Sequence, residues 1–154
     1  MSRLENGAKR RNGTLEAKRY NPTLSHCAPQ FTVKLHLART DGINTFTGYG
    51  GDHVAVNGNP YRQNIVVLPG QLLPGWTEAT FETLTEDDFR KLAELQPEIL
   101  LLGTGQTLRW PSPALLQPLM AARIGLEVMD TQAACRTYNI LAAEGRKVAA
   151  AILV

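Results

Sequence analysis

The chain has 154 residues, of which 44% are hydrophobic, 19% charged and 6% aromatic, and its formal net charge is +2. One domain fits this length, and the hydrophobic share suits a protein that buries a core, which excludes wholesale disorder. The longest apolar run, residues 148–154, is seven residues, against the ~20 a helix needs to cross a bilayer, so no membrane-spanning helix is expected.

The small net charge conceals a split. Residues 1–30 hold six Lys/Arg and two Asp/Glu, whereas residues 31–154 hold ten and twelve. The first segment reads as a disordered basic arm and the second as a single domain. Lys9, Arg10, Arg11, Lys18 and Arg19 can brush phosphates in a salt-sensitive way. The mild acidity of the rest argues against specific nucleic-acid recognition. The arm lacks the apolar run of a secretory signal. Its basic residues, with Ser2, Thr14, Thr23 and Ser25, raise a mitochondrial presequence, but Glu5, Glu16 and the absence of an amphipathic stripe weigh against one. The expected location is the cytoplasm. Cys27 and Cys135 have no CxxC partner, and His26, His36 and His53 show no ligand spacing with them. No disulfide framework, metal or cofactor is expected.

From residue 31 onward the pattern turns regular. Phe31, Val33, Leu35 and Leu37 alternate with polar residues, as in a half-buried strand. Residues 43–49 read as a second strand, and 53–56 and 61–68 as two more. Asn57-Gly58 between the last two is a hairpin signal, because both central residues of a type I′ turn need positive φ. Pro69-Gly70 and Pro74-Gly75 punctuate an expected loop carrying Trp76. The first half is thus expected to be an antiparallel meander.

After Thr85 the pattern becomes β/α. Thr85, with Glu86, Asp87 and Asp88 behind it, caps a helix whose inner stripe is Phe89, Leu92 and Ala93 and which ends before Pro97. Residues 99–102, all Ile or Leu, read as a strand covered on both faces. Ser112-Pro113 opens a second helix with Leu115, Leu116, Leu119 and Met120 inward, Pro118 either kinking it or delaying its start, and Gly125 ending it. Residues 126–129 form the next strand. Asp130 or Thr131 caps a third helix closed by Gly145. Residues 147–154 form a terminal buried strand. The expectation is an α/β domain of three layers: a central mixed sheet, antiparallel strands in the first half and βαβ-type units in the second.

Open α/β sheets bind ligands outside the carboxyl ends of their parallel strands. Gly103, Thr104 and Gly105 follow one such strand, and Asp130 and Thr131 follow another. If the strands are neighbours, these residues share a crevice with Arg109, Arg136 and Asn139, and a small anionic ligand is the class they suit. Glycines 103 and 105 equally allow a tight turn, and a carboxylate at residue 130 fills the positive end of the third helix itself. Gly48, Gly50 and Gly51 link two strands and read as a turn. Arg136 suits either a surface salt bridge or a bidentate anion contact. Cys135 reads as a packing residue rather than a nucleophile. No complete catalytic constellation emerges, so an enzyme is not favoured.

Residues 125–146, GLEVMDTQAACRTYNILAAEGR, resemble the hallmark segment of domain-of-unknown-function family 498, which includes the mitochondrial complex I (NADH dehydrogenase) assembly factor 3. Residues 102–105, LGTG, and the Asn57-Gly58 hairpin match the same family in order. The resemblance covers about residues 31–154. It implies a three-layer α/β fold and, by the mitochondrial member, a non-enzymatic assembly role whose partner is a respiratory-chain subunit or another assembly factor. It carries over no catalytic residue.

Overall fold

The computed structural model describes residues 42–154, so the strand expected at residues 31–37 and the basic arm lie outside the described residues. The described chain runs through β1 (Phe46–Tyr49), β2 (Val54–Val56), β3 (Asn59–Tyr61), β4 (Ile65–Leu68) and β5 (Gln71–Pro74), then α1 (Glu86–Glu94), β6 (Ile99–Gly103), α2 (Gln117–Ala121), β7 (Gly125–Met129), α3 (Thr131–Ala143) and β8 (Val148–Ile152). Strands β1, β2 and β3 form a small antiparallel sheet, and the other five form a mixed sheet in the order β5-β4-β8-β6-β7. Strands β6, β7 and β8 are parallel, while β4 runs antiparallel to β8 and β5.

Side chains alternate between two cores across the five-stranded sheet. Ile65, Val67, Leu101, Ala150 and Ile152 face one side, where they meet Phe46, Val54 and Val56 of the small sheet and Ala134, Cys135 and Tyr138 of α3. Val66, Leu100, Leu102, Ala149 and Ala151 face the other, against Phe89 and Leu92 of α1 and Leu119 of α2. The architecture is therefore α/β in three layers with a central mixed sheet. Phe89 and Leu92 are 0% and 1% exposed, and burials of that kind each contribute about 1.5–3 kcal/mol.

The hairpin at Asn57-Gly58 forms as expected, with φ of +53° and +82°, and it pairs Val56 with Asn59. The single strand expected over residues 61–68 is instead two. The break falls at Asn64, whose Nδ2 donates to the carbonyls of Thr77 and Ala79 at 3.0 and 2.9 Å. There the chain leaves the small sheet for the large one, and the apolar pattern changes from alternating to continuous. The expected loop over 69–75 contains β5, since Pro69-Gly70 is a hairpin turn and an edge strand tolerates Pro74.

Pro118 delays α2, which starts only after a 3₁₀ turn at Pro113–Leu116. That turn advances the chain by three residues rather than 3.6, shifting the helical phase. Met120 consequently faces solvent, at 65% exposure, instead of joining the inner stripe. Gly125 does not end α2. The reversal sits at Arg123, with φ of +57°, and Gly125 is already the first residue of β7. Among the described residues no helix is long and apolar enough to cross a membrane.

Candidate functional site

The parallel strands β6, β7 and β8 end side by side, and their loops are tied to one another. Thr131 donates its backbone N–H to the Gly105 carbonyl at 2.8 Å. Its hydroxyl donates to the Leu153 carbonyl and accepts from the Gly105 N–H, both at 3.2 Å. One threonine thus links the ends of β6 and β8 at the start of α3. Thr104 is fully buried. Its hydroxyl accepts from the Arg109 N–H at 3.1 Å and donates to the carbonyl of Thr107, at 2.8 Å, or of Met129, at 3.2 Å. A Cβ at Gly103 would stand 2.7 Å from Ile152 Cδ1 and 3.3 Å from Thr131 Cα, so close packing of β6 against β8 and α3 requires glycine there.

Two cavities open over these strand ends. One, of about 360 Å³, is lined by Gly50, Gly51, His53, Gly105, Gln106, Thr131 and Gln132. The other, of about 550 Å³, lies among Asn64, Thr77, Glu78, Thr80, Glu82, Gln106 and Arg109. They share Gly51, Gly105, Gln106, Leu153 and Val154, and form one crevice with two lobes. A separate cavity of about 560 Å³ lies at the opposite ends of β6 and β8, beside Pro97, Arg146 and Val148.

Of the residues singled out from sequence, Gly105, Thr131 and Arg109 line the crevice. Gly103 and Thr104 build the wall behind it. The Asp130 carboxylate accepts from the Ala133 N–H at 2.8 Å and caps α3. Arg136 lines neither lobe; its guanidinium donates to the Tyr49 hydroxyl at 3.2 Å on the surface. Asn139 uses both ends of its amide on one residue of β1. It accepts from the Phe46 N–H at 2.9 Å and donates to the Phe46 carbonyl at 2.8 Å, fastening the small sheet to α3. Gly50, Gly51 and His53 also reach the crevice. The glycine turn is a turn, closed by the Gly50 N–H donating to the His53 carbonyl at 2.8 Å. The His53 ring packs on Gly50, where a Cβ would meet it at 2.6 Å. Nothing local in the sequence announces this position, because β1 and β2 carry it across from the other sheet.

The crevice holds an ion pair between Arg109 and Glu82. The Arg109 guanidinium donates to Glu82 and, at 2.7 Å, to the Thr104 carbonyl, and lies 4.5 Å from the Phe81 ring centre. Its Nε is buried without a partner among the described residues. Glu82 is held below the usual carboxylate range by its own backbone N–H, with Thr80 and Arg109 adding to the effect. Asp52 is lowered by the hydrogen bond to His53 and then by the nearby Arg62 charge. Burial pushes the Cys135 thiol up to about 12, so it is neither thiolate nor accessible at neutral pH. Among the described residues no cluster of three or more His, Cys, Asp or Glu is arranged to hold a metal ion.

A family model described as "Protein of unknown function (DUF498/DUF598)" matches residues 46–153, the whole of this framework from β1 to the end of β8. The chain belongs to that family. It is 34% identical over 107 residues to the bovine NADH dehydrogenase [ubiquinone] 1 alpha subcomplex assembly factor 3, a match that covers 68% of this chain and 58% of the bovine protein. The chain therefore spans less than two thirds of that relative's length. Among solved structures it resembles a Bordetella parapertussis protein, with TM-score 0.68 and 40% identity over 73% of this chain and 96% of that one. It also resembles a Mth938-like domain of Bordetella pertussis, with TM-score 0.66 and 34% identity over 78% of this chain and 91% of that one.

Proposed function

We propose that this protein acts in the assembly of a respiratory NADH dehydrogenase, binding a subunit or a fellow assembly factor without catalysing a reaction. The observation that carries this reading is the 34% identity to the bovine assembly factor. The chemistry of the crevice is in keeping with it. Asp130 is a helix cap, Thr104 and Thr131 use their hydroxyls within the fold, and Cys135 is buried. The working unit is the domain over residues 31–154, acting in the cytoplasm. Affinity capture of the tagged protein from its own cells, combined with gene deletion, tests this. A co-purifying respiratory subunit or assembly factor, and loss of assembled NADH dehydrogenase on deletion, are expected. A clean preparation with normal enzyme levels in the deletion strain refutes it.

A second reading assigns the crevice to a small anionic ligand. The Arg109 guanidinium, which lines one lobe beside Gly105, supports it, because a guanidinium is an anion donor. Arg136 and Asn139, one and two helical turns beyond Gln132, belong to this reading only if the ligand extends along α3. Native mass spectrometry and a thermal-shift series of phosphates and nucleotides test it, since a ligand that binds the folded state raises the melting temperature. Stabilisation lost in Arg109→Gln is the supporting result, and the absence of any shift refutes the reading.

A further inference from the structure

We infer that the outer edge of β7 is a docking site for an extended strand of another protein, with a basic side chain opposite Glu127 and apolar residues on either side of it. The inference deepens the assembly reading by naming the surface that receives the partner, and the test below does not need that partner.

A free edge is a template for another strand, and proteins block edges they do not use. In the small sheet, Asn139 occupies the N–H and carbonyl of Phe46 on β1. On the other side, the two-residue turn at Asn57-Gly58 makes Val56 and Asn59 the closing hydrogen-bonded pair. Pairs alternate in an antiparallel ladder, so Pro60, opposite Ala55, is the residue whose backbone faces outward, and it has no N–H. In the large sheet, the turn at Pro69-Gly70 fixes the same alternation for β5 and turns Leu72 and Pro74 outward. Pro74 again removes a donor.

On strand β7, neither a proline nor a side-chain amide from the described residues blocks the outward backbone groups. The Gly125 N–H donates to the Glu98 carbonyl, and the Met129 carbonyl accepts from the Thr104 N–H. Those residues therefore face β6, and by alternation so does Glu127. Leu126 and Val128 turn their N–H and carbonyl groups away from β6, toward an edge that no described residue occupies. Four backbone groups in register await a strand, which is the geometry of β-augmentation.

Charge selects the occupant. A second copy of β7 would pair Leu126 with Val128 in both directions, and this fully bonded antiparallel arrangement sets Glu127 directly against its copy. Like charges directly opposite destabilise a sheet. Glu127 is exposed, while Leu126 and Val128 pack with the α1 and α2 core on the other face. A Lys or Arg opposite Glu127, flanked by apolar residues that extend the face of Leu126 and Val128, reverses the penalty.

The test titrates the isotope-labelled protein with the blocked peptide Thr-Val-Lys-Val-Thr and with its Glu-centred counterpart, following backbone amides by NMR and hydrogen exchange. Protection of the Leu126 and Val128 amides by the Lys-centred peptide is expected, with Glu127 already protected by β6. Glu127→Lys, an exposed substitution, should weaken that peptide by roughly fivefold and favour the Glu-centred one. Leu126→Pro, which removes an outward N–H and no bond to β6, should abolish binding. Equal binding of both peptides, no protection at these two amides, or their protection by concentration-dependent self-association overturns the inference. Peptide binding together with a clean preparation and normal enzyme levels in the deletion strain leaves the edge intact and refutes the assembly reading alone.

Discussion

Asn139→Ala should cost this protein more stability than most single polar truncations. Both atoms of the Asn139 amide bond to the backbone of Phe46, a residue 93 positions away and 6% exposed. Truncation removes two long-range hydrogen bonds and leaves an N–H and a carbonyl without partners. An unsatisfied buried group costs about 1–3 kcal/mol. Asn139 itself is half-buried, so water recovers part of the loss and the expected sum is about 2–4 kcal/mol. With a urea dependence of about 1–2 kcal/mol per molar, the unfolding midpoint falls by roughly 1–3 M. The assay is equilibrium urea unfolding followed by tryptophan fluorescence and by far-ultraviolet circular dichroism. A change below about 0.5 kcal/mol, the size of an ordinary surface substitution, would show that β1 is held to α3 by something other than this amide. Asn139→Asp should also destabilise, because its carboxylate accepts from the Phe46 N–H but has no donor for the Phe46 carbonyl.

Three further outcomes follow from the same geometry. Gly103→Ala puts a methyl group 2.7 Å from Ile152 Cδ1 and 3.3 Å from the Thr131 backbone, and should destabilise by about 1–3 kcal/mol in thermal unfolding. Cys135, 1% exposed with its thiol raised to about 12, should resist a thiol reagent at pH 8 in the native protein and react fully in urea. Asp88 keeps a lowered pKa although burial, the largest single influence, raises it, because the Thr85 N–H and hydroxyl, Thr77 and Lys91 together outweigh burial. A carboxylate depressed in the folded state contributes stability above its unfolded pKa of ~3.9. That contribution should fade as pH falls below about 4, and Asp88→Asn should flatten this part of the acid-denaturation curve.

Most of the second half is readable because its signals are local, the exceptions being Met120, turned outward after the 3₁₀ turn that precedes α2, and Gly125, which opens β7 instead of closing the helix. The run of residues 99–102, the cap at Asp130 and the Gly145 closure each depend on neighbours within one turn of chain. The first half was misread wherever the deciding contact was distant. Residues 61–68 look like one strand until Asn64 is seen to bind Thr77 and Ala79 across the break. The crevice shows the same division. Gly105 and Thr131 were accessible to reasoning because strand ends are predictable once strands are found. His53 was not, because its place depends on how one sheet lies on the other. Asn139 is grouped with the crevice only because α3 starts at a strand end, and its amide is instead used at Phe46.

Hydrogen-bonding capacity separates the two surfaces on which function can rest. In the crevice, the side chains best suited to hold an anion are already engaged: Thr131 with Gly105 and Leu153, and Arg109 with Glu82 and Thr104. A ligand there gains only what exceeds the bonds it disturbs, and Glu82 opposes any anion that approaches Arg109. At β7, Leu126 and Val128 hold N–H and carbonyl groups that no described residue uses. A partner strand adds bonds there without breaking any among the described residues. Its cost is chiefly the ordering of the strand. Among the described residues, binding through the edge therefore breaks no hydrogen bond, whereas an anion that binds at Arg109 competes with Glu82.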